Sequence, residues 1–251
     1  MGSDAHLLVA TRDEHLVGAA IEELERLEPA WSRFRSDSEL VALNQDPGEV
    51  VTVSPLLAEA VHRAVLAWER TDGWFDPTVI DSLEHAGYDA PFAPDGPPRG
   101  SLASCRPAAT PRSFSVDLER CTVRRPAGVR LDLGGIGKGL AADRIATGLV
   151  DRGAQSACVS MGGDVRVAGI PPEGGWRIPV ERPDRVGEEA AMPIWFDAVL
   201  DQGAVVTSTT RRRRWRTGDG GTAHHLIDPR TGHPSPPGVT SVVVCAAEAW
   251  W

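Results

Sequence analysis

The apolar residues of this 251-residue chain change their period part-way along it, and that change restricts the folds open to it. Between residues 13 and 29, Leu16, Ala20, Ile21, Leu24 and Leu27 recur every three or four positions, the spacing of one buried helix face. A short strand at 6–10 precedes this helix, and the polar, turn-rich segment 31–46 holds a short one. Ser54-Pro55 opens another: a capping hydroxyl is followed by a proline whose missing N–H costs nothing in a first turn. Leu57, Val61, Ala64, Val65 and Trp68 mark its inward side. From Phe114 onward the pattern is that of strands: FSVDL, CTVRRP, VRLDLGG, ACVSMGGDVRVAGI, WRIPVERP, WFDAVL, AVVTSTT and VTSVVVCAA. One helix interrupts them at about 138–152, with Leu140, Ala141, Ile145 and Leu149 inward. Helices early, strands late and few strand–helix–strand alternations predict an α+β fold over a doubly wound one. The Pro-, Gly-, Ala- and Ser-rich stretch 90–112 reads as a long loop within a single domain spanning 1–251. No short period recurs, which sets aside solenoids and propellers.

Charge and cysteine content narrow the function classes. Thirty-five acidic residues against 26 basic ones give a net charge of −9, which argues against nucleic acid as a partner. The run Arg211-Arg212-Arg213-Arg214-Trp215-Arg216 goes against that average and reads as a solvated loop or strand edge. Cys105, Cys121, Cys158 and Cys245 form no C-x-x-C pair, so neither a zinc nor a redox motif is present, and free thiols of a reducing compartment are expected. No apolar stretch reaches the ~20 residues of a membrane span. The N-terminus has no basic leader pattern and reads as a strand, so a cytoplasmic location is expected.

Four short stretches carry chemistry. In LDLGGIGKGLAAD, residues 131–143, Gly134, Gly135, Gly137 and Gly139 would allow positive φ and close backbone approach just before a helix. A helix N-terminus offers free N–H groups and partial positive charge to a phosphate. Lys138 is the only lysine in the chain and would add a full charge there. The spacing is neither that of a Walker A loop nor that of a dinucleotide fingerprint, so by spacing alone a tight strand-to-helix turn is the commoner explanation. Gly162-Gly163-Asp164 reads as a bulge or hairpin turn. In HHLIDPRTG, residues 224–232, a histidine pair, a carboxylate and an arginine suit acid–base chemistry or anion binding. Adjacent strand residues point to opposite faces, so His224 and His225 would not ligate one metal together. Thr207-Ser208-Thr209 carries hydroxyls that either satisfy backbone or meet a polar ligand. TDGWFDPT, residues 71–78, is either a buried turn or a ligand-lining loop.

Taken in order, SELVALNQ, TDGWFDPTV, LDLGGIGKGLAAD, SMGGDVRVAG, VVTSTT and HHLIDPRTGHP resemble the ApbE family, the FAD:protein FMN transferases, over most of the chain. The resemblance implies an ApbE-like (T-fold-like) architecture of mixed, largely antiparallel sheets with packed helices. It also implies a reaction: the FAD pyrophosphate is split, FMN passes to a threonine of an acceptor protein, and AMP leaves, with Mg2+ assisting. The alternative is an FAD-binding or FAD-hydrolysing relative, giving FMN and AMP, without transfer. By the same resemblance His225 is the transfer residue and general base. Met1, Phe34, Trp74, Phe75, Asp76, Gly134, Gly135, Lys138, Leu140, Asp164, Thr207, Leu226 and Ile227 are FAD-site residues, and the Gly137 carbonyl is a metal ligand. The arginine run would favour a phosphate-bearing ligand or an acidic target. Three departures from the family pattern stand out. The family's aspartate and threonine metal ligands fall on a segment after VTSVVVCAA, whereas this sequence ends at Trp251; Leu140 replaces a usual aromatic; and no export signal is present.

Overall fold

The computed structural model of the chain describes residues 4–93, 96–109, 114–182 and 194–251. In order the elements are β1 (Ala5–Ala10), α1 (His15–Trp31), α2 (Glu39–Gln45), β2 (Val50–Thr52), α3 (Pro55–Arg70), α4 (Ile80–His85), β3 (Ser115–Asp117) and β4 (Thr122–Arg124). There follow α5 (Gly137–Asp151), β5 (Ser156–Met161), β6 (Asp164–Gly169), β7 (Trp176–Glu181), β8 (Ile194–Leu200), β9 (Gly203–Thr209), β10 (Arg214–Arg216), β11 (Thr222–His224) and β12 (Ser241–Ala246). Every named strand pairs antiparallel, so the fold is the α+β class that the ordering predicts. None of the described helices is long and apolar enough to cross a membrane. The chain forms two compact units: Leu27–Ile136 with Arg213–Pro237, and the segment up to Arg26 with Gly137–Arg212 and Gly238–Trp251.

The first unit is built around α3. Ser54 caps it, accepting from the Leu57 amide at 3.2 Å, while its hydroxyl donates to Glu39 of α2. Leu57, Ala60, Val61 and Ala64 are fully buried along its inner face. The C-terminus of α2 is held by Arg125, 1% exposed, whose guanidinium donates to the carbonyls of Leu43 (2.5 Å) and Asp46 (2.7 Å). Such groups at a helix end need partners, and here an arginine supplies them. A three-stranded sheet, β2-β4-β3, and a two-stranded ribbon, β10–β11, complete this unit. Trp215 and Ala223 of the ribbon pack with Leu83, Ala86, Tyr88 and Cys105.

The second unit is a five-stranded sheet, β1-β5-β6-β9-β12. One face carries Asp164 and Arg166, both bonded to α5. The other carries Cys158, Val167 and Val205, buried against Ile178, Val180 and Ala198 of the β7–β8 hairpin. Residues two apart on a strand share a face, so these two sets belong to opposite sides. The Gly162-Gly163 pair has φ of +60° and +97° between Met161 and Asp164, a two-residue hairpin turn with both central residues left-handed, which resolves the bulge-or-hairpin alternative.

Three local expectations need correcting. Helix α1 runs past Pro29 to Trp31. The proline sits in the last turn, and beyond it Ala30 and Trp31 are buried, with the Trp31 indole donating to Leu56 O at 3.0 Å. That burial outweighs the local clash of the ring. Ile21 is 48% exposed, so the buried stripe is narrower than its spacing suggests. VRLDLGG is not a strand: its backbone groups are taken by a side chain and a loop carbonyl.

Candidate functional site

The residues that carry the motifs divide between the two units, and the glycine turn passes from the first to the second after Ile136. In the first unit, Asn44 grips both sides of Leu131: its Nδ2 donates to Leu131 O and its Oδ1 accepts from Leu131 N, each at 2.8 Å. The next amide, Asp132 N, donates to Pro77 O at 2.7 Å. The Asp132 carboxylate accepts from Gly134 N at 3.1 Å and lies 3.3 Å from Arg33 Nε, in a buried pair. Arg33 lies over the rings of Phe34 (4.1 Å) and Tyr88 (4.5 Å) and donates to Tyr88 O at 2.8 Å. An amide clip, an ion pair and a backbone bond thus fix the entry to the turn.

The TDGWFDPT loop supports it from the side. Thr71 Oγ1 accepts from Phe75 N at 2.9 Å, and Asp76 accepts from the Thr78 amide (2.8 Å) and hydroxyl (2.6 Å). Burial pushes the Asp76 carboxyl up, against the lowering effect of those Thr78 bonds. A Cβ on Gly135 would stand 2.6 Å from the Phe75 ring, so only glycine fits there. Trp74 points outward, 63% exposed, with the Arg230 guanidinium 4.0 Å from its ring centroid. Arg230 also pairs with Asp228 at 2.9 Å, and its hydrogen bond holds the Asp228 carboxyl below its usual range. Gly232, at φ +74°, passes so close to Arg106 O that a Cβ would lie 1.8 Å from it.

His225 follows β11 directly and is half-buried. Its neighbour His224 accepts at Nδ1 from Leu226 N, and its Nε2 lies 3.3 Å from Ser235 O; burial pushes its pKa down. Leu226 is partly buried, and Ile227 packs on the Trp215 cluster.

In the second unit Gly137 opens α5 with open space at its Cα. Lys138 pairs with Asp164, the first residue of β6. Leu140 is 2% exposed and belongs to the packed side of the helix, and Thr207 is exposed on β9. A Cβ on Gly139 would stand 2.2 Å from Ala249 O. One turn on, the Asp143 carboxylate accepts from Ala249 N (2.8 Å) and Trp250 N (3.0 Å) and lies 3.1 Å from Arg166 Nε. Burial pushes Asp143 up to about 6 in spite of these partners. None of the four turn glycines takes positive φ; Gly135 and Gly139 are required by close approach alone. Met1 lies outside the described residues.

A hard divalent cation takes about six oxygens. Among the described residues no group of three His, Cys, Asp or Glu side chains is gathered. The Gly137 carbonyl is a single donor, and Asp164 is committed to Lys138. Mg2+ usually keeps several waters and takes one or two protein oxygens beside substrate phosphates, so the Gly137 carbonyl would be one donor among these.

The sequence model of the ApbE family matches residues 1–250. The chain belongs to the ApbE family. Similar ApbE relatives include the FAD:protein FMN transferase of Treponema pallidum, 32% identical over 249 residues, covering 92% of this chain and 67% of that protein. The FAD:protein FMN transferase of Klebsiella pneumoniae is 28% identical over 254 residues, covering 99% and 76%. Among solved structures, the ApbE protein of Thermotoga maritima superposes with a TM-score of 0.82 at 29% identity, over 99% of this chain and 80% of its own. The flavin transferase ApbE of Vibrio cholerae shares the fold, with a TM-score of 0.74 at 24% identity over 100% and 80%. Within this ApbE chain, Arg33, Asn44, Asp132 and Asp143 hold the motif segments, yet motif reading gave them no role. Asn44, Asp132 and Asp143 were signalled only by membership of the quoted stretches, and Arg33 lay outside them; contacts 87 and 106 residues apart do not show in spacing.

Proposed function

We propose that this chain is an FAD:protein FMN transferase whose acceptor is a threonine of another protein. The family match across residues 1–250 carries the reading. In the reaction the threonine Oγ attacks the flavin-side phosphorus of FAD. The bond from that phosphorus to the bridging oxygen breaks, AMP leaves with that oxygen, and FMN remains on the threonine as a phosphoester. His225 takes the threonine proton; a half-buried imidazole just after an anchored strand is a suitable base.

Gly134 and Gly135 present backbone to the phosphates, and the Asn44 and Asp132 bonds keep that backbone in place before FAD arrives. Met1, Phe34, Trp74, Phe75, Asp76, Leu226 and Thr207 contribute to the FAD site, while Leu140 and Ile227 serve it through packing. Lys138 reaches phosphate only by sharing its charge with Asp164, so the pair orients more than it attracts. Mg2+ would neutralise phosphate charge when bound, with the Gly137 carbonyl as one of its oxygens.

The test is a titration with FAD, with and without Mg2+, following flavin fluorescence and AMP release together. Binding with Mg2+-dependent AMP release is expected. His225→Ala should retain FAD affinity and lose AMP release by about 10²-fold or more. Unchanged turnover in that variant would remove His225 from the mechanism, and absence of FAD binding by the wild type would sink the transferase reading.

A further inference from the structure

We infer that the solvent face of the β10–β11 ribbon docks the acceptor protein and selects a threonine flanked by acidic residues; this rests on the transferase reading above. The register sets Arg214 opposite His224, Trp215 opposite Ala223 and Arg216 opposite Thr222. Trp215 and Ala223 face inward, 7% and 0% exposed. Arg214, Arg216, Thr222 and His224 share the other side, where Arg214, Arg216 and Thr222 are exposed while His224 is half-buried beside Ser235.

The face is built, not loose. The Trp215 indole donates to Ala86 O at 2.7 Å, and its ring lies 5.4 Å from that of Tyr88. Anchoring the ribbon from below reduces the ordering cost of docking on top of it. Among the described residues no carboxylate stands within ion-pair distance of Arg214 or Arg216, whereas Arg33, Arg130, Arg144, Arg166, Arg212 and Arg230 all have one. In a chain of net charge −9, acids were not scarce. The acid of the ribbon's own turn, Asp219, is engaged by the hydroxyls of Thr217 and Ser101, which hold its carboxyl down at about 2.

Geometry favours an extended peptide over a nucleotide. Nucleotide sites are concave, and this is the open side of a two-stranded ribbon. Arg214 and Arg216 are two residues apart, about 7 Å along the strand, the repeat at which an extended chain presents side chains on one side. Carboxylates at alternate positions of such a chain would meet both guanidiniums, each in fork geometry. The partner strand ends at His224, so a segment lying along the ribbon comes within one residue's step of His225.

The experiment uses short threonine-centred peptides with Glu, Gln or Lys at alternating flanking positions, with FAD and Mg2+. FMN-peptide is followed by mass and AMP by release. The wild type should label the Glu peptide about tenfold faster than the Gln peptide and the Lys peptide slowest. R214E/R216E should invert that order while keeping FAD affinity, and R214Q/R216Q should abolish the preference without inversion, which covers failure of the reversed variant to fold. Equal labelling of all three peptides overturns the inference. So does labelling of none while AMP is released, or a loss of FAD affinity in the variants as large as the loss of transfer. A wild type that neither binds FAD nor releases AMP overturns the transferase reading first, and this inference with it.

Discussion

Asp143 is a carboxylate inside a helix whose oxygens are taken by groups outside that helix. Its oxygens accept the amides of Ala249 and Trp250, fixing the last residues of the chain over α5 at the point where Gly139 leaves no room for a side chain. Burial raises its pKa from 3.8 to about 6, so the folded state disfavours its ionisation. A raised folded pKa contributes stability that is fully present below about 3.8 and is lost as pH rises through about 6. The loss is on the order of 3 kcal/mol. Asp143→Asn has no such titration, so the stability of wild type relative to the variant should fall between about pH 4 and pH 7.5 in melting experiments. A constant gap across that range would mean that the amides and Arg166 fully offset burial. At this scale the sequence was legible in residue type but not in partner. Lys138 stood out as the only lysine, yet its partner Asp164 is 26 residues away, behind a hairpin turn that spacing cannot rank against a bulge. The turn glycines were read as φ-permissive, whereas close approach is what excludes side chains from two of them.

At the scale of elements, segment 129–135 is instructive because it has strand composition and no strand partner. Asn44, on α2, substitutes for a neighbouring strand by offering one donor and one acceptor to the same residue. Asn44→Ala leaves both Leu131 groups unmet in a partly buried site and should cost about 1–3 kcal/mol. It should also weaken FAD binding severalfold. Chemical denaturation and an FAD titration of the variant check the two effects separately, and full FAD affinity in a destabilised variant would confine Asn44 to the scaffold. Elements whose signal is local were read well: α3 from its Ser-Pro start, α5 from its apolar spacing and the late strands from their runs. Those decided by distant burial were not, as the continuation of α1 through Pro29 shows.

For the whole molecule, the order of helices and strands predicts the α+β class, and membership of the ApbE family follows from motifs in sequence order. The division into two units, each assembled from separate stretches of chain, has no local sequence signal. FAD, as a ligand of the native state, is expected to stabilise the folded chain. At a hundredfold excess over Kd the gain is about 2.7 kcal/mol. For a chain of this size that is a Tm increase of roughly 5–10 °C. Thermal melts with and without FAD measure it directly; an unchanged Tm at saturating flavin would contradict binding to the native fold.

Strand β12 closes one side of the five-stranded sheet, and its Val242 and Val244 are 49% and 43% exposed, with Cys245 exposed beside them. Among the described strands β12 pairs only with β9, and an unpaired ladder edge can recruit like edges from other copies, which the Cys245 thiol could then link on oxidation. Concentrated stocks are therefore expected to gain covalent dimers under oxidation, and non-reducing electrophoresis with and without reductant checks it; Val244→Lys should reduce them.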